Sequence, residues 1–212
     1  MLIGERMSKP VITISPDMPI SDALNLMKKE HIRRAPVVRD GKLVGIVSDK
    51  DLLNASPSPV TTLSIWEMNY LLSKVTVSQV MTPNVMTVGE DTPIEQAARI
   101  MADNKIGGLP VMRDGHVVGI ITETDLFKVF LELLGAREAG IRATVLVDDK
   151  PGGLANLTEA ISSRKGNFIS FGQFSGDNPS NRIVTFKVKG LTEDQVREAI
   201  TPVVKEIRDL RS

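Results

Sequence analysis

Two short stretches of the chain place a hydroxyl side chain three residues before an aspartate. Ser48 precedes Asp51 in the segment GIVSDKD, and Thr122 precedes Asp125 in the segment GIITETD. A β-branched run stands before each hydroxyl, so the hydroxyl falls where a strand ends and a helix begins. Free N–H groups at a helix start suit phosphate oxygens, and a carboxylate accepts hydrogen bonds from a ribose diol. The pattern therefore suits a sugar phosphate.

The same spacing also has a purely structural explanation. A Ser or Thr at a helix start, followed three residues later by an acidic residue, is close to a capping box, in which the two residues bond each other's backbone N–H groups. The two roles are compatible, because one carboxylate accepts several hydrogen bonds. The sequence leaves capping open as the alternative, while the duplicated context favours a ligand site in at least one copy.

An internal repeat positions these two stretches. Residues 7–52 align with residues 81–126 at a constant offset of 74 without a gap, and 19 of the 46 aligned positions are identical. Apolar residues at helical spacing, such as Ile20, Ala23 and Met27, predict a helix with one buried face in each copy. An Asp-Gly dipeptide then predicts a tight hairpin. Each copy is therefore predicted to fold as strand–helix–strand–strand–helix.

A unit of this size would leave one sheet face exposed to water. We therefore expect the two copies to pack on each other, with grooves between them. The connection between the copies, residues 54–74, is predicted to be a Ser/Pro-rich loop followed by a helix that contains Ile65, Met68, Leu71 and Leu72.

On these motifs, residues 1–134 resemble a tandem pair of CBS motifs (a Bateman module), with repeat one at 1–74 and repeat two at 75–134. The resemblance implies a mixed α+β fold, a pseudo-twofold pair of β-α-β-β-α units. It also implies an adenosine ligand, either AMP, ADP, ATP or S-adenosylmethionine. In such proteins the Asp binds ribose hydroxyls, the Ser or Thr contacts ribose or phosphate, and residues near the first strand and the Pro contact adenine. The implied nucleotide-binding residues are Thr13, Ala35, Pro36, Ser48 and Asp51, and in the second copy Thr87, Leu109, Pro110, Thr122 and Asp125.

The two copies differ just before this Pro. The first copy has Arg33 and Arg34 where the second has Gly107 and Gly108. Adjacent guanidiniums can clamp a phosphate through charge-assisted hydrogen bonds, whereas glycines leave room and expose backbone. Arg33, Arg34 and Gly108 therefore join the candidate nucleotide-binding residues. We expect the first site to prefer a phosphorylated ligand, and the second to be empty or to bind a less charged compound such as S-adenosylmethionine. The alternative is that both arginines are solvated surface charges.

The last third of the chain is predicted to be a separate domain. Residues 135–140 are predicted to be a linker, and residues 141–212 show a β-α-β-β-α order with an Asp-x-Pro-Gly-x-Leu motif after the first strand. This resembles an ACT domain, which implies a ferredoxin-like fold and an amino-acid site with the candidates Asp149, Pro151 and Gly152. The alternative is a tight turn without a ligand, in a domain that only dimerises.

One feature of this domain departs from the ACT pattern. An ACT domain ends with a strand, but the last apolar residues keep helical spacing and predict a helix to the end of the chain. These residues are Val196, Ile200, Val203, Val204, Ile207 and Leu210.

The order of the modules resembles the AcuB-like acetoin-utilisation proteins across the whole chain. This implies a regulatory protein that senses a ligand and acts on a metabolic enzyme or regulator, with homodimerisation expected from both module types. The alternative is a structural dimerisation module or scaffold with vestigial ligand sites. No catalytic residue, metal site or required cofactor is assigned, because neither His31 nor His116 belongs to a catalytic motif.

Composition limits the partners. Lys plus Arg and Asp plus Glu number 26 each, without the basic excess typical of nucleic-acid binders. The chain has no cysteine, no apolar run of membrane-spanning length and no apolar signal segment near its start. We therefore expect a cytoplasmic protein with neither a nucleic-acid nor a membrane partner.

Overall fold

The computed structural model describes residues 1–55 and 74–212. These residues form two compact units, Met1–Leu126 and Phe127–Ser212. From position 56 to position 73, the predicted Ser/Pro loop and connecting helix between the copies lie outside the residues that the structure describes. No helix in the described part of the chain is long and apolar enough to cross a bilayer.

The first unit contains two copies of one arrangement of helices and strands. Copy one contains α1 (Ile20–Lys29), β1 (Arg34–Arg39), β2 (Lys42–Ser48) and α2 (Asp49–Asn54). Copy two contains β3 (Val88–Gly89), α3 (Ile94–Asn104), β4 (Gly108–Arg113), β5 (His116–Thr122) and the start of α4 (Glu123–Leu133). Short 3-10 turns precede them at Ile3–Glu5 and Val77–Gln79. The first strand of copy one is a single parallel bridge between Ile14 and Val37.

The two predicted hairpins are confirmed. Strand β1 pairs with β2 and β4 pairs with β5, both antiparallel. The turn residues have positive φ, 48° at Asp40 and 77° at Gly41 in the first hairpin, and 51° and 78° at Asp114 and Gly115 in the second. Two consecutive residues with positive φ form the type I′ turn, whose twist matches that of the flanking strands.

The segments around Ser8 and Thr82, which precede the first strands of the two copies and are called leading segments below, each pair with a strand of the other copy. Ile46 in β2 forms two backbone hydrogen bonds with Thr82, at 3.0 and 2.9 Å, and Ile120 in β5 forms the equivalent pair with Ser8, at 3.2 and 2.9 Å. Both members of one bridge lie 74 residues from their counterparts in the other. The contacts are therefore related by the expected pseudo-twofold symmetry.

The exchange also completes the two hydrophobic cores. Met7, from the start of copy one, is buried in the cluster of copy two, and Val77 is buried in the cluster of copy one. A Cβ at Gly119 would overlap the sulfur of Met7, and one at Gly45 would lie 2.5 Å from the sulfur of Met81. Each copy therefore depends on the other for part of its core.

The second unit is an antiparallel four-stranded sheet with two helices. Its elements are β6 (Ile141–Asp148), α5 (Gly153–Ser162), β7 (Asn167–Ser175), β8 (Asn181–Lys189), α6 (Glu193–Ile200) and β9 (Glu206–Arg211). The strand order is β7-β8-β6-β9, which is the βαββαβ arrangement called ferredoxin-like. Fully buried side chains of sheet and helices, including Val145, Leu157, Phe186 and Ile200, form one core.

The chain ends in a strand, so the prediction of a helix to the C-terminus is wrong. Helix α6 ends at Ile200, and β9 then pairs with the edge of β6. The register shifts by one residue opposite Thr144, which leaves Arg208 unpaired as a β-bulge. Because of this extra residue, Ile207 and Leu210 both pack against the core although they are three residues apart. Their spacing imitates that of a helix.

A second bulge explains why strand β7 shows no clear alternation in the sequence. The pairing with β8 skips Ile169 between Phe168 and Ser170. Phe168 and Phe171 therefore both face the core, with ring centroids 5.5 and 6.5 Å from that of Phe186.

The segment predicted as a linker is bound to the sheet of the second unit. The Lys187 ammonium donates hydrogen bonds to the carbonyl oxygens of Gly135, at 3.1 Å, and Glu138. The division between the two compact units falls after Leu126, inside α4, whereas the sequence interpretation divides the chain at residue 134.

Candidate functional site

Both Ser/Thr–Asp pairs are joined by hydrogen bonds at a helix start, and the pair of copy one forms a complete capping box. The Asp51 Oδ2 atom accepts from the Ser48 backbone N–H at 2.8 Å and from its hydroxyl at 2.7 Å, and the Ser48 hydroxyl oxygen accepts from the Asp51 N–H at 3.2 Å. In copy two, Asp125 Oδ2 accepts from the Thr122 N–H at 3.0 Å and from its hydroxyl at 2.7 Å. The structural role is therefore present in both copies.

A cavity of about 460 Å³ opens beside Ser48 and Asp51, within the first unit. This volume lies in the range of small-molecule sites. Residues of both copies line it, namely Arg34, Ile46, Val47, Ser48 and Asp51 with Thr82, Asn84, Val85, Met86, Asn104, Lys105, Ile106, Gly107 and Gly108. The site is therefore shared between the copies.

The chemistry of the cavity wall is divided between apolar and charged groups. Ile46, Val85, Met86 and Ile106 offer apolar surface to a planar base, and Met86 is 48% exposed. Asp51 uses Oδ2 for the cap, and its Oδ1 has no hydrogen bond to another residue in the described ranges. That oxygen is available to accept hydrogen bonds from ligand hydroxyls.

Arg34 supplies a guanidinium group to the wall of this cavity. A Cβ at Gly107 would overlap its Nη2 atom, so the absence of a side chain at Gly107 is what allows Arg34 to lie there. No hydrogen bond or ion pair joins the Arg34 side chain to any other residue of the described segments. Together with Lys105 it gives the cavity two cations that can meet an anionic group.

The two adjacent arginines diverge. Arg34 borders the cavity, whereas the exposed Arg33 donates from Nη2 to the hydroxyl of Thr124 at 3.3 Å, in the first turn of α4. The expected clamp of two guanidiniums on one phosphate is therefore not formed. Gly107 and Gly108, expected to leave room in a second site, line the same cavity as Arg34.

The aspartate of copy two has different surroundings. Asp125 is 5% exposed, and its Oδ1 accepts from the hydroxyl of Ser8 at 3.5 Å. Ser8 is the counterpart of Thr82, which lines the cavity beside Asp51. Both carboxylate oxygens of Asp125 are therefore engaged within the protein, whereas Asp51 keeps one oxygen available.

The other candidate residues do not line this cavity. Thr13 and Thr87 are exposed and precede the short first strands, whereas the residues around the Pro, Ala35, Pro36, Leu109 and Pro110, are buried within β1 and β4. Sequence reasoning missed Thr82, Asn84 and Lys105, because it assigned each site to a single copy. The constant offset of 74 gives the symmetry, but no local signal indicates that the leading segments cross over.

The Asp-x-Pro-Gly loop of the second unit is held by ion pairs. Asp149 pairs with Arg182 at 2.9 Å, and Gly152 has a φ of 84° at the start of α5. Hydrogen bonds from Lys205 and Lys150 lower the pKa of Asp148 from its ordinary value. A cavity of about 240 Å³ lies beside the loop and is lined by Val147, Asp148, Lys150, Gly153, Asn156, Pro202, Val203, Val204 and Lys205. It does not include the candidates Asp149, Pro151 and Gly152.

The residues in the described ranges contain no group of three or more His, Asp or Glu side chains arranged to hold a metal ion.

Two relatives show which part of the chain is shared with other proteins. A CBS domain-containing protein of Dictyostelium discoideum is 34% identical over 136 residues, which are 63% of this chain and 94% of that protein. An L-aspartate semialdehyde sulfurtransferase of Methanocaldococcus jannaschii is 34% identical over 131 residues, which are 61% of this chain and 23% of the enzyme. The region shared with the enzyme is therefore a minor part of its length.

Solved structures share the fold. The CBS domain pair of protein MJ0100, in complex with 5′-methylthioadenosine and S-adenosyl-L-methionine, is 33% identical with a TM-score of 0.52, over 65% of this chain and 98% of that one. CBSX2 of Arabidopsis thaliana in complex with AMP is 31% identical with a TM-score of 0.53, over 62% of this chain and 97% of CBSX2. An acetoin utilization protein (AcuB) from Vibrio cholerae is 30% identical with a TM-score of 0.53, over 65% and 95%.

The family model of the CBS domain matches residues 3–58 and 77–132. These are the two copies that build the cavity, and together they make up more than half of the chain, which therefore belongs to the family of CBS-domain proteins.

Proposed function

We propose that the chain is a regulatory protein that binds one adenosine ligand in the cavity beside Asp51. The observation that carries this proposal is the presence, in one cavity, of an aspartate oxygen and a guanidinium that have no partner among the described residues. Both groups face the open cavity, where a bound ligand can replace the water that solvates them.

The ligand would bind through three groups of residues. The Oδ1 atom of Asp51 accepts hydrogen bonds from ribose hydroxyls, with Ser48 beside it. Apolar side chains such as Val85 and Ile106 contact the base. Arg34 and Lys105 bind the anionic group, which favours AMP or another phosphorylated adenosine over an uncharged one. The complexes of CBSX2 with AMP and of MJ0100 with S-adenosyl-L-methionine support this ligand class.

A calorimetric titration with AMP, ATP and S-adenosylmethionine tests the proposal. The chain with Asp51→Asn is expected to bind at least about tenfold more weakly, because it loses a hydrogen bond to a charged group. Asp125→Asn is the matched control, since Asp125 has the same capping role without bordering the cavity. Equal losses in the two variants would contradict the proposed site, and no binding to the unmodified chain would favour the alternative of a scaffold with vestigial sites.

We propose that the regulatory output is conformational rather than catalytic. An adenosine ligand that binds one arrangement of the two copies better than another shifts the population of arrangements, and so changes the surface offered to a metabolic enzyme or regulator. The identity of that partner and the cytoplasmic location stay predictions from the sequence.

We also propose that the chain forms a homodimer through α4. Phe127, Phe130, Leu131 and Leu133 of this helix are between 37% and 66% exposed. Phe127, Phe130 and Leu131 are three and four residues apart, so they lie on one face of the helix, and two such faces can cover each other across a twofold axis. In sedimentation experiments, the variant Phe130→Glu is expected to be a monomer. The control Phe174→Glu, which changes another exposed phenylalanine, is expected to remain a dimer. Unchanged sedimentation of Phe130→Glu would contradict this interface.

For residues 141–212 we propose an ACT-like domain, and for the whole chain an AcuB-like organisation. The βαββαβ order and the cavity beside the Asp-x-Pro-Gly loop support an amino-acid site near Asp149, Pro151 and Gly152. A thermal-shift series with the standard amino acids tests this, because a ligand raises the stability of the state that binds it. No shift with any amino acid would favour a domain that only dimerises.

A further inference from the structure

We infer that Glu123 competes with the anionic group of the ligand for Arg34, and that this competition makes the first turn of α4 respond to the charge of the ligand. The inference rests on the proposed function of the cavity. It adds a specificity-determining residue that does not itself line the cavity.

Glu123 and Arg34 border one small space. The point where a Gly107 Cβ would stand overlaps Nη2 of Arg34 and lies 2.7 Å from Oε2 of Glu123. No hydrogen bond or ion pair joins the two side chains, and neither has another such partner for its charged group in the described segments. The guanidinium is therefore near a carboxylate without being bound by it, so a small movement brings it either to Glu123 or to a ligand.

Within the described parts of the two repeats, the arrangement occurs once. At an offset of 74, the counterpart of Glu123 is Asp49, and the counterpart of Arg34 is Gly108. Asp49 has the same place at the start of a helix, but copy two supplies no arginine to face it. The competition is thus a property of the cavity beside Asp51 and not of the repeat in general.

The first turn of α4 has a second link to the same strand. Arg33 donates to the hydroxyl of Thr124, the residue after Glu123. At the start of β1, the Arg33 side chain therefore contacts α4, and the Arg34 side chain lies near Glu123 of the same helix. When a phosphate attracts Arg34, the carboxylate of Glu123 loses the electrostatic attraction of that guanidinium, and we expect the first turn of α4 to be held less firmly.

Two probes of different charge separate this effect from binding in general. AMP carries a phosphate, whereas 5′-methylthioadenosine is uncharged. In calorimetric titrations, Glu123→Gln is expected to tighten AMP binding by about twofold to fivefold, because a competing exposed anion near a partly exposed guanidinium is removed. Binding of 5′-methylthioadenosine is expected to stay unchanged. Asp49→Asn is the matched control and should alter neither affinity.

A second variant and a second readout test the geometry. Gly107→Ala places a Cβ where Arg34 Nη2 lies and is expected to weaken AMP binding selectively. In the unmodified chain, AMP should speed amide hydrogen exchange at the start of α4, and Glu123→Gln should abolish that response.

The outcomes distinguish the inference from the proposed function. If AMP binds to the unmodified chain but Glu123→Gln changes neither its affinity nor the exchange of α4, the inference is overturned and the site stands. If Glu123→Gln changes the affinities for both probes equally, charge competition is again excluded. If neither probe binds to the unmodified chain, the proposed function fails and the inference fails with it.

Discussion

Asp51 and Asp125 bond their capping residues in the same way and differ in the use of the remaining carboxylate oxygen. Oδ1 of Asp125 accepts from Ser8, whereas the counterpart of Ser8, Thr82, leaves Oδ1 of Asp51 available. The sequence predicts both Ser/Thr–Asp pairs, because their spacing is local. It does not predict which aspartate remains available, because that depends on a residue contributed by the other copy.

Asp148 gives a prediction for the dependence of stability on pH. Hydrogen bonds from Lys205 and Lys150 hold its pKa below the ordinary value of 3.8. A carboxyl group with a lowered folded-state pKa stabilises the fold above its unfolded pKa, and this contribution disappears as the pH falls through the folded-state pKa. Urea denaturation of Asp148→Asn is therefore expected to show a smaller loss of stability between neutral pH and pH values below 3.8 than the unmodified chain.

Lys205→Met serves as the companion variant, since it removes the largest cause of this lowered pKa. It should flatten the acid side of the stability profile in the same direction. Identical profiles for both variants and the unmodified chain would show that Asp148 titrates alike in the folded and unfolded states.

At the scale of elements, two β-bulges limit what periodicity can predict. The extra residues Ile169 in β7 and Arg208 in β9 place apolar side chains three residues apart on one face of a strand. Hairpins with an Asp-Gly turn are predicted correctly, since the turn residues specify the backbone conformation. A bulge has no such local signal, so the spacing of Ile207 and Leu210 predicts a helix where the sheet forms its edge strand.

Lys187 gives a prediction for the segment that follows α4. Its ammonium bonds two carbonyl oxygens, those of Gly135 and Glu138, and Lys187→Met is expected to destabilise the second unit by about 1–3 kcal/mol because these bonds involve a charged donor. Amide exchange over residues 134–138 should become faster. Lys189→Met, at an exposed position of the same strand, is the control and should change neither quantity. Equal behaviour of the two variants would contradict this role.

For the whole molecule, the repeat predicts two copies and their symmetry but not the exchange of leading segments. The bridges from Ile46 to Thr82 and from Ser8 to Ile120 join residues far apart in sequence. Local patterns cannot distinguish such a bridge from one within a copy, because both put an extended segment beside the same strand. The sequence therefore predicts the kind of site, a helix start with an aspartate, but not the set of residues that line the cavity.

This exchange predicts how a fragment behaves. Residues 1–74 lack Val77, which is fully buried in the core of copy one, and lack the Thr82 segment that pairs with β2. We expect the fragment to show no cooperative thermal unfolding as a monomer, because its core and sheet edge are incomplete. Circular dichroism combined with sedimentation checks this expectation, and a cooperatively folded monomer would contradict it.

The most direct test of the proposed ligand site is a crystal structure of the chain grown with AMP. We predict one adenosine moiety in the cavity of the first unit, with ribose hydroxyls within hydrogen-bond distance of Asp51 Oδ1, the phosphate on Arg34, and no ligand at Asp125. Electron density for AMP at Asp125 with the Asp51 cavity empty would contradict the account.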